Sequence, residues 1–178
     1  MSTVVGPTLA EMRRRGTPFA GLLYVGLALT RRGPRVVEFN ARFGDPETQV
    51  VLPLLETPLA TLLHAAATGD LGAHPPLRWR EGSAVVVVVA ASGYPGTVRQ
   101  GDPVEGAYAP GVIHSGTSTV DGGLVSAGGR VVGCTGTGSD LASARARAYD
   151  LVDQVSLKGS HHRRDIALAA VEGRITLG

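Results

Sequence analysis

The feature that most constrains this chain is the run of residues 36–49, in which a β-branched stretch carries Glu38, Asn40 and Arg42 at alternate positions. Alternate residues of a β-strand point to the same face of the sheet. The spacing therefore predicts one strand face that bears a carboxylate, an amide and a guanidinium. A glycine and a proline then follow within four residues, and they predict a sharp turn into a helix.

These three side chains suit a phosphoryl-transfer site. Glu38 and Asn40 offer the oxygen ligands that hard cations such as Mg²⁺ prefer. The fork of Arg42 can bind a phosphate or a carboxylate and stabilise the charge of a transferring group, which makes Arg42 the candidate catalytic residue. The alternative interpretation is that residues 36–49 form a strand, a turn and a helix whose charged side chains lie on the surface without a role in catalysis.

The same run resembles the signature of the glycinamide ribonucleotide synthetase (phosphoribosylamine–glycine ligase) family of ATP-grasp enzymes. Further similar segments extend the resemblance along nearly the whole chain. They lie upstream at residues 7–9 and 16–27, and downstream at residues 91–96, 114–117, 128–131 and 163–166. Members of the family are more than twice as long, so the resemblance implies the final portion of such an enzyme.

The resemblance implies an ATP-dependent ligase of purine synthesis, with ATP, glycine and phosphoribosylamine as its small-molecule substrates. By the same resemblance, Glu38 and Asn40 would bind Mg²⁺ or Mn²⁺ close to the phosphates of ATP. An acid that many ATP-grasp proteins place on the preceding strand is replaced here by Tyr24. A neutral phenol is a poor ligand for this metal, so the metal would be held weakly or water would complete its shell.

Four further residues are candidates for substrate binding. Asp45 and Glu47 could bind the ammonium of glycine or the amine of phosphoribosylamine, and each could equally cap the helix that follows. Tyr94 lies in a tight Gly-Tyr-Pro-Gly turn, and Arg130 follows a Gly-Gly pair. By resemblance, the turn that contains Tyr94 lies near the active-site cleft.

Parts of an ATP-grasp site are not found before the strand that carries Glu38. The family grips phosphates with lysines and a Gly-rich loop upstream of that strand, whereas the one lysine here is Lys158. We therefore expect this polypeptide alone to be inactive. Three interpretations stay open: a C-terminal fragment of the ligase, one half of a split ligase that assembles with an N-terminal chain, or a non-catalytic module that binds small ligands or partners.

The predicted fold class is α+β. It comprises the tail end of an ATP-grasp domain (antiparallel strands plus helices) at residues 1–69, a linker at 70–82, and a small C-terminal α/β domain rich in short strands at 83–178. Predicted helices span residues 8–15, 47–55, 57–68, 139–155 and 165–171, with Thr8, Thr57 and Ser139 as N-caps and a Thr8–Glu11 capping box. Predicted strands span residues 22–30, 35–39, 83–91, 112–114, 123–126 and 130–135, the first two pairing as one hairpin and the last two as another.

Two other motifs allow alternative interpretations. The glycine-rich segment 133–139 could cradle a phosphate before a helix, but it lacks the P-loop pattern, and a strand-to-helix turn is favoured. His114 beside Ser115 suggests a base and a nucleophile. An orienting or structural histidine is favoured, because no acidic residue follows at a spacing that would indicate a partner for the histidine.

Composition excludes several classes of protein. The net charge of +2 and the short basic runs do not favour nucleic-acid binding. No apolar run reaches the ~18 residues of a membrane span, and no signal peptide begins the chain. The single cysteine, Cys134, excludes an internal disulfide and reads as a small buried hydrophobe. We therefore expect a cytoplasmic protein.

Overall fold

The computed structural model of this protein describes residues 1–30 and 32–175. Within these residues the chain forms five α-helices and nine β-strands. It divides into two compact units, one made of residues 1–45 and 55–78, the other of residues 46–54 and the chain from residue 79 onward. The mixture of helices and antiparallel strands confirms the predicted fold class. The predicted domain limits and linker stay a prediction.

The first unit begins with helix α1 (Val5–Arg14). The predicted capping box at Thr8 is wrong, because the helix starts three residues earlier and Thr8 lies inside it. There its hydroxyl donates to the Val4 carbonyl at 2.9 Å, as interior threonines often do. Glu11 instead forms ion pairs with the arginines that end the helix and follow it.

Strands β1 (Tyr24–Thr30) and β2 (Gly33–Asn40) form the predicted antiparallel hairpin. Tyr24 pairs with Asn40 and Gly26 with Glu38, and the register then shifts by one residue at a β-bulge. Such a bulge leaves one residue of the longer strand without a partner. In this hairpin that residue is Val37.

Two helical segments follow the hairpin. Helix α2 (Thr48–Val51) continues into a 3-10 turn at Leu52–Leu54, and both belong to the second unit. Helix α3 (Leu59–Thr68) ends at Gly69, which takes the left-handed conformation that commonly ends a helix. The predicted cap of α3 is wrong, because the Thr57 hydroxyl accepts the Arg78 backbone N–H at 2.8 Å.

The second unit is built around a three-stranded antiparallel sheet, in which β8 (Arg130–Gly138) lies between β3 (Ser83–Ala90) and β5 (Val112–His114). The sheet's inward side chains and one face of helix α4 (Leu141–Val152) form the core, in which Val87 and Val132 are fully buried. A run of valines is favourable here because β-branched residues suit buried strands. The elements of this unit are β3 (Ser83–Ala90), β4 (Val104–Glu105), β5 (Val112–His114), β6 (Thr117–Val120), β7 (Gly123–Ser126), β8 (Arg130–Gly138), α4 (Leu141–Val152), β9 (Ser156–Leu157) and α5 (Leu168–Val171).

The predicted hairpin between residues 123–126 and 130–135 is wrong. Strand β7 pairs with β6 across a two-residue Asp121–Gly122 turn, in which both residues have positive φ. This is the turn chemistry that tight hairpins favour. Strand β8 lies between β3 and β5 instead, where its apolar residues are buried.

Helix α4 packs closely on β8 because Gly136 and Gly138 of the strand have no side chains and leave room for the helix. A Cβ on Gly136 would lie 2.3 Å from the Ala144 carbonyl oxygen of the helix. The N-cap is Asp140, in a capping box with Ser143, so the predicted cap at Ser139 is one residue off. Because β8 runs to Gly138, segment 133–139 is mostly a strand and does not form a phosphate-binding loop.

Across the described residues, every helix is too short or too polar to cross a bilayer.

Candidate functional site

The β1–β2 hairpin places Glu38 and Asn40 on one face, as their spacing predicts. Opposite them on β1 lie Gly26 and Tyr24. A Cβ on Gly26 would lie 3.2 Å from Cγ of Glu38, so the absent side chain lets the glutamate lie across the neighbouring strand. Sequence reasoning missed Gly26, although an isolated glycine inside an apolar strand often marks such a close approach.

Glu38 and Asn40 contact each other directly. The Asn40 amide nitrogen donates to Oε1 of Glu38 at 2.9 Å, which leaves the amide oxygen outside this hydrogen bond. Glu38 is exposed and Asn40 is half-buried. A carboxylate oxygen and an amide oxygen are ligands that suit Mg²⁺ or Mn²⁺. No group of three or more His, Cys, Asp or Glu that could hold a metal occurs within residues 1–30 and 32–175.

Arg42 lies beyond this strand, because β2 ends at Asn40. The predicted alternation on one strand face therefore reaches Glu38 and Asn40 and does not include Arg42. Its guanidinium is exposed and donates to the Phe43 carbonyl at 2.9 Å. Because this side chain is long and exposed, Arg42 stays a candidate for binding an anion.

Asp45 and Glu47 fall in different units of the structure. Asp45 is the last residue of the hairpin segment of the first unit, and Glu47 precedes α2 in the second. Glu47 occupies the N-cap position but makes no side-chain capping hydrogen bond. The alternative in which Glu47 caps the helix by such a bond is therefore wrong, although its charge still lies near the helix N-terminus.

Tyr94 and Arg130 lie at the same end of the three-stranded sheet in the second unit. The loop that carries Tyr94 is closed by the Arg99 N–H, which donates to the Ser92 carbonyl at 3.0 Å. The Tyr94 ring lies over Gly129, where an added Cβ would be 2.4 Å from Cδ2 of the ring. Arg130 is the next residue and begins β8, opposite Ala90.

His114 makes a side-chain contact with Thr117 rather than with Ser115. Its Nδ1 lies 3.0 Å from the Thr117 hydroxyl oxygen, and its ring centroid lies 5.7 Å from that of Tyr108. This contact favours the orienting interpretation over a base–nucleophile pair.

Cys134 is fully buried, and burial raises the pKa of its thiol to about 11. A thiol that stays protonated at neutral pH is a poor nucleophile, so Cys134 packs as a hydrophobe.

The structure thus brings together Glu38 with Asn40 in one unit, and Tyr94 with Gly129 and Arg130 in the other. Two family descriptions match these units. "Phosphoribosylglycinamide synthetase, ATP-grasp (A) domain" matches residues 1–48, and "Phosphoribosylglycinamide synthetase, C domain" matches residues 84–169.

Curated relatives match the whole chain. The phosphoribosylamine–glycine ligase of Mycobacterium tuberculosis is 58% identical over 178 residues, which are 99% of this chain and 42% of that protein. The ligase of Streptomyces coelicolor is also 58% identical, over 96% of this chain and 43% of the relative. A crystal structure of the Thermotoga maritima ligase superposes with a TM-score of 0.79 at 37% identity and covers 90% of this chain and 40% of that one.

The polar hairpin and the segment that carries Tyr94 and Arg130 therefore fall in stretches that match the ATP-grasp and C domains of one synthetase family. The chain belongs to the phosphoribosylglycinamide synthetase family. It corresponds to the C-terminal part of its relatives and spans 42% of the length of the M. tuberculosis protein.

Proposed function

We propose that this chain supplies the metal-binding strand and the C-terminal domain of a phosphoribosylamine–glycine ligase that works in the cytoplasm. The observation that carries the proposal is the Glu38–Asn40 pair. It lies on a hairpin inside the stretch that resembles the ATP-grasp domain of this family. The activity belongs to the assembled enzyme, since the relatives are more than twice as long as the matched region.

The reaction joins glycine to phosphoribosylamine in two steps. A carboxylate oxygen of glycine attacks the γ-phosphorus of ATP, and ADP leaves. The amine of phosphoribosylamine then attacks the carbonyl carbon of glycyl phosphate, loses a proton and expels phosphate. Both steps depend on holding the reactants in line and on neutralising the charge of the transferred group.

In this scheme Glu38 and Asn40 would hold a Mg²⁺ or Mn²⁺ ion, which would supply charge neutralisation during phosphoryl transfer. Gly26 leaves the glutamate room to lie across β1 on this face. Arg42 binds a phosphate or acyl-phosphate oxygen through its fork. Its hydrogen bond to the Phe43 carbonyl is local and exposed, so the guanidinium can exchange it for a stronger contact with an anion.

The remaining candidates bind substrates. Asp45 and Glu47 offer carboxylates to the ammonium of glycine or to the amine of phosphoribosylamine. Tyr94 offers a phenol whose ring contacts Gly129, and Arg130, the next residue along the chain, offers a guanidinium. In the predicted division, residues 1–69 complete the ATP-grasp domain, 70–82 link it to the next domain, and 83–178 form the C-terminal domain.

The test uses an enzyme assembled from this chain and the part of the M. tuberculosis relative that precedes the matched region. We expect ADP release to continue over many turnovers only when glycine and phosphoribosylamine are both present. A stable complex that releases no ADP in the presence of both substrates would contradict the proposal. It would instead favour a non-catalytic binding module.

A further inference from the structure

A short piece of the chain near residue 161 extends the sheet of the second unit beside the last residue of β3. The His161 N–H donates to the Ala90 carbonyl at 3.0 Å, and the Ala90 N–H donates to the His161 carbonyl at 2.9 Å. On its other side, Ala90 pairs with Arg130 of β8. Ala90 therefore lies between Arg130 and His161 in one row across the sheet.

The side chains of this row lie on the sheet face opposite α4. Directly paired residues of neighbouring strands point to the same face, so Arg130 and His161 both follow Ala90. The ring of His162, the next residue, packs against Tyr149 of α4 with the ring centroids 6.1 Å apart. Because successive residues of an extended chain alternate in direction, His161 points away from α4.

Arg130 and His161 flank a gap of suitable width for a phosphate group. Neighbouring strands lie ~4.8 Å apart, so the two backbones lie roughly 10 Å apart, with only the methyl group of Ala90 between them. A guanidinium fork and an imidazole N–H can both donate hydrogen bonds to the oxygens of a phosphate monoester. His161 is exposed, so a ligand can reach this row from solvent.

The segment that carries His161 is held in place by α4. The Tyr149 hydroxyl donates to the Arg163 carbonyl at 2.7 Å and accepts the Ile166 N–H at 3.2 Å. The guanidinium of Arg145 donates to two further carbonyls of the same segment, at 2.7 and 2.9 Å. Because these contacts fix the backbone near His161, little order has to be gained there when a ligand binds.

The same face of the sheet also carries a candidate for binding an amine. Helix α4 packs on β3 and β8, and α2 packs against the same two strands. Since α4 covers one face, α2 lies on the other, which is the face of Ala90. Glu47 directly precedes α2 in the second unit. This face therefore combines a carboxylate with a pair of phosphate donors.

Resting on the proposed function, we propose that Arg130 and His161 bind the phosphate group of phosphoribosylamine. Of the two substrates that carry an amine, phosphoribosylamine has a phosphate monoester and glycine does not. A face with a carboxylate and two phosphate donors matches the amine and the phosphate of that one molecule. The proposal makes His161 a substrate-binding residue and gives Arg130 a defined ligand group.

The first experiment measures binding to the whole chain by two-dimensional NMR. The probe is ribose phosphate, the sugar phosphate obtained when a hydroxyl replaces the amine of phosphoribosylamine. We expect the largest shifts at the amides of Ala90 and His161, and no comparable shifts with ribose or glycine. Arg130→Gln and His161→Ala should each weaken binding by about tenfold, the effect of losing a hydrogen bond to a charged group. Lys158→Gln is the matched control, because it removes an exposed cation of the same segment and should leave binding unchanged.

The second experiment uses the assembled enzyme. Both substitutions should raise the KM for phosphoribosylamine by about tenfold and leave the KM for glycine and for ATP unchanged. A role confined to the stability of the sheet would not separate the substrates in this way.

Four results would overturn the proposal. They are shifts with ribose phosphate no larger than with ribose in the unsubstituted chain, equal shifts of the same amides with ADP, a control that weakens binding as much as either substitution, and an unchanged KM for phosphoribosylamine in an active enzyme. Binding through Arg130 and His161 in a chain whose assembled enzyme makes no product would contradict the proposed function and leave this site standing.

Discussion

Asn40 donates its side-chain N–H to the carboxylate of Glu38, two residues earlier on the same strand, at 2.9 Å. The hydrogen bond orients the carboxylate before any ligand arrives and directs the amide oxygen elsewhere. Because both residues sit on β2 rather than on a loop, their relative position depends on the strand geometry. Because of this relationship, we expect substitutions on the hairpin to lower turnover of the assembled enzyme with little change in stability.

In the assembled enzyme, Glu38→Gln should lower turnover by ~10²–10³-fold, the usual cost of removing one electrostatic contact to a transferring group. Glu105→Gln is the matched control, because it removes an exposed carboxylate on β4 that has no assigned role in binding the metal or the substrates. Steady-state kinetics at saturating Mg²⁺ decide the matter. If Glu38→Gln and the unsubstituted enzyme turn over equally, Glu38 has no role at the metal.

Gly26→Val should also lower turnover of the assembled enzyme, by about tenfold or more. The new side chain would meet Cγ of Glu38, which is 3.2 Å from the position of an added Cβ, and would displace the carboxylate. The free energy of unfolding should change by less than about 1 kcal/mol, because valine suits a strand better than glycine. Ala28→Val, two residues along β1, is the control. Similar losses of turnover in both variants would mean that the clearance over Gly26 has no special role.

Gly136→Val should destabilise the second unit by about 1–3 kcal/mol, as overpacking of a core usually does. An added Cβ would lie 2.3 Å from the Ala144 carbonyl oxygen and 2.4 Å from the Ala148 nitrogen, so helix α4 would have to move. Urea unfolding followed by circular dichroism measures the change. Gly123→Val is the control, because a Cβ there makes an ordinary contact at 3.5 Å. A control as destabilising as Gly136→Val would rule out close packing of α4 as the cause.

The capping box at the start of α4 should make stability depend on pH. The Ser143 backbone N–H and hydroxyl donate to the carboxylate of Asp140 and hold its pKa below the ordinary value. A carboxylate whose pKa is lower in the folded state stabilises the protein above its unfolded pKa of ~3.9 and loses that contribution as pH falls further. The thermal stability of the unsubstituted chain should therefore fall more steeply below about pH 4 than that of the Asp140→Asn variant. Parallel pH profiles would mean that the cap does not titrate.

Sequence patterns identified the elements whose causes are local. The hairpin and the shared face of Glu38 and Asn40 follow from the two-residue period of a strand, which acts between near neighbours. Gly69 ends α3 because a left-handed residue is available there without steric cost. The family resemblance likewise depends on short runs, and it agreed with the matched domains.

Tertiary structure decided the relationships between residues that are distant in the chain. Thr57 accepts the backbone N–H of Arg78 instead of capping α3, because that partner lies 21 residues away and no local pattern reveals it. Strand β8 extends through a glycine-rich segment that resembles a loop, since β3 pairs with it on one side and α4 needs the space that Gly136 leaves. Turn chemistry and periodicity act over a few residues, whereas strand partners and packing distances depend on which distant surfaces are buried together.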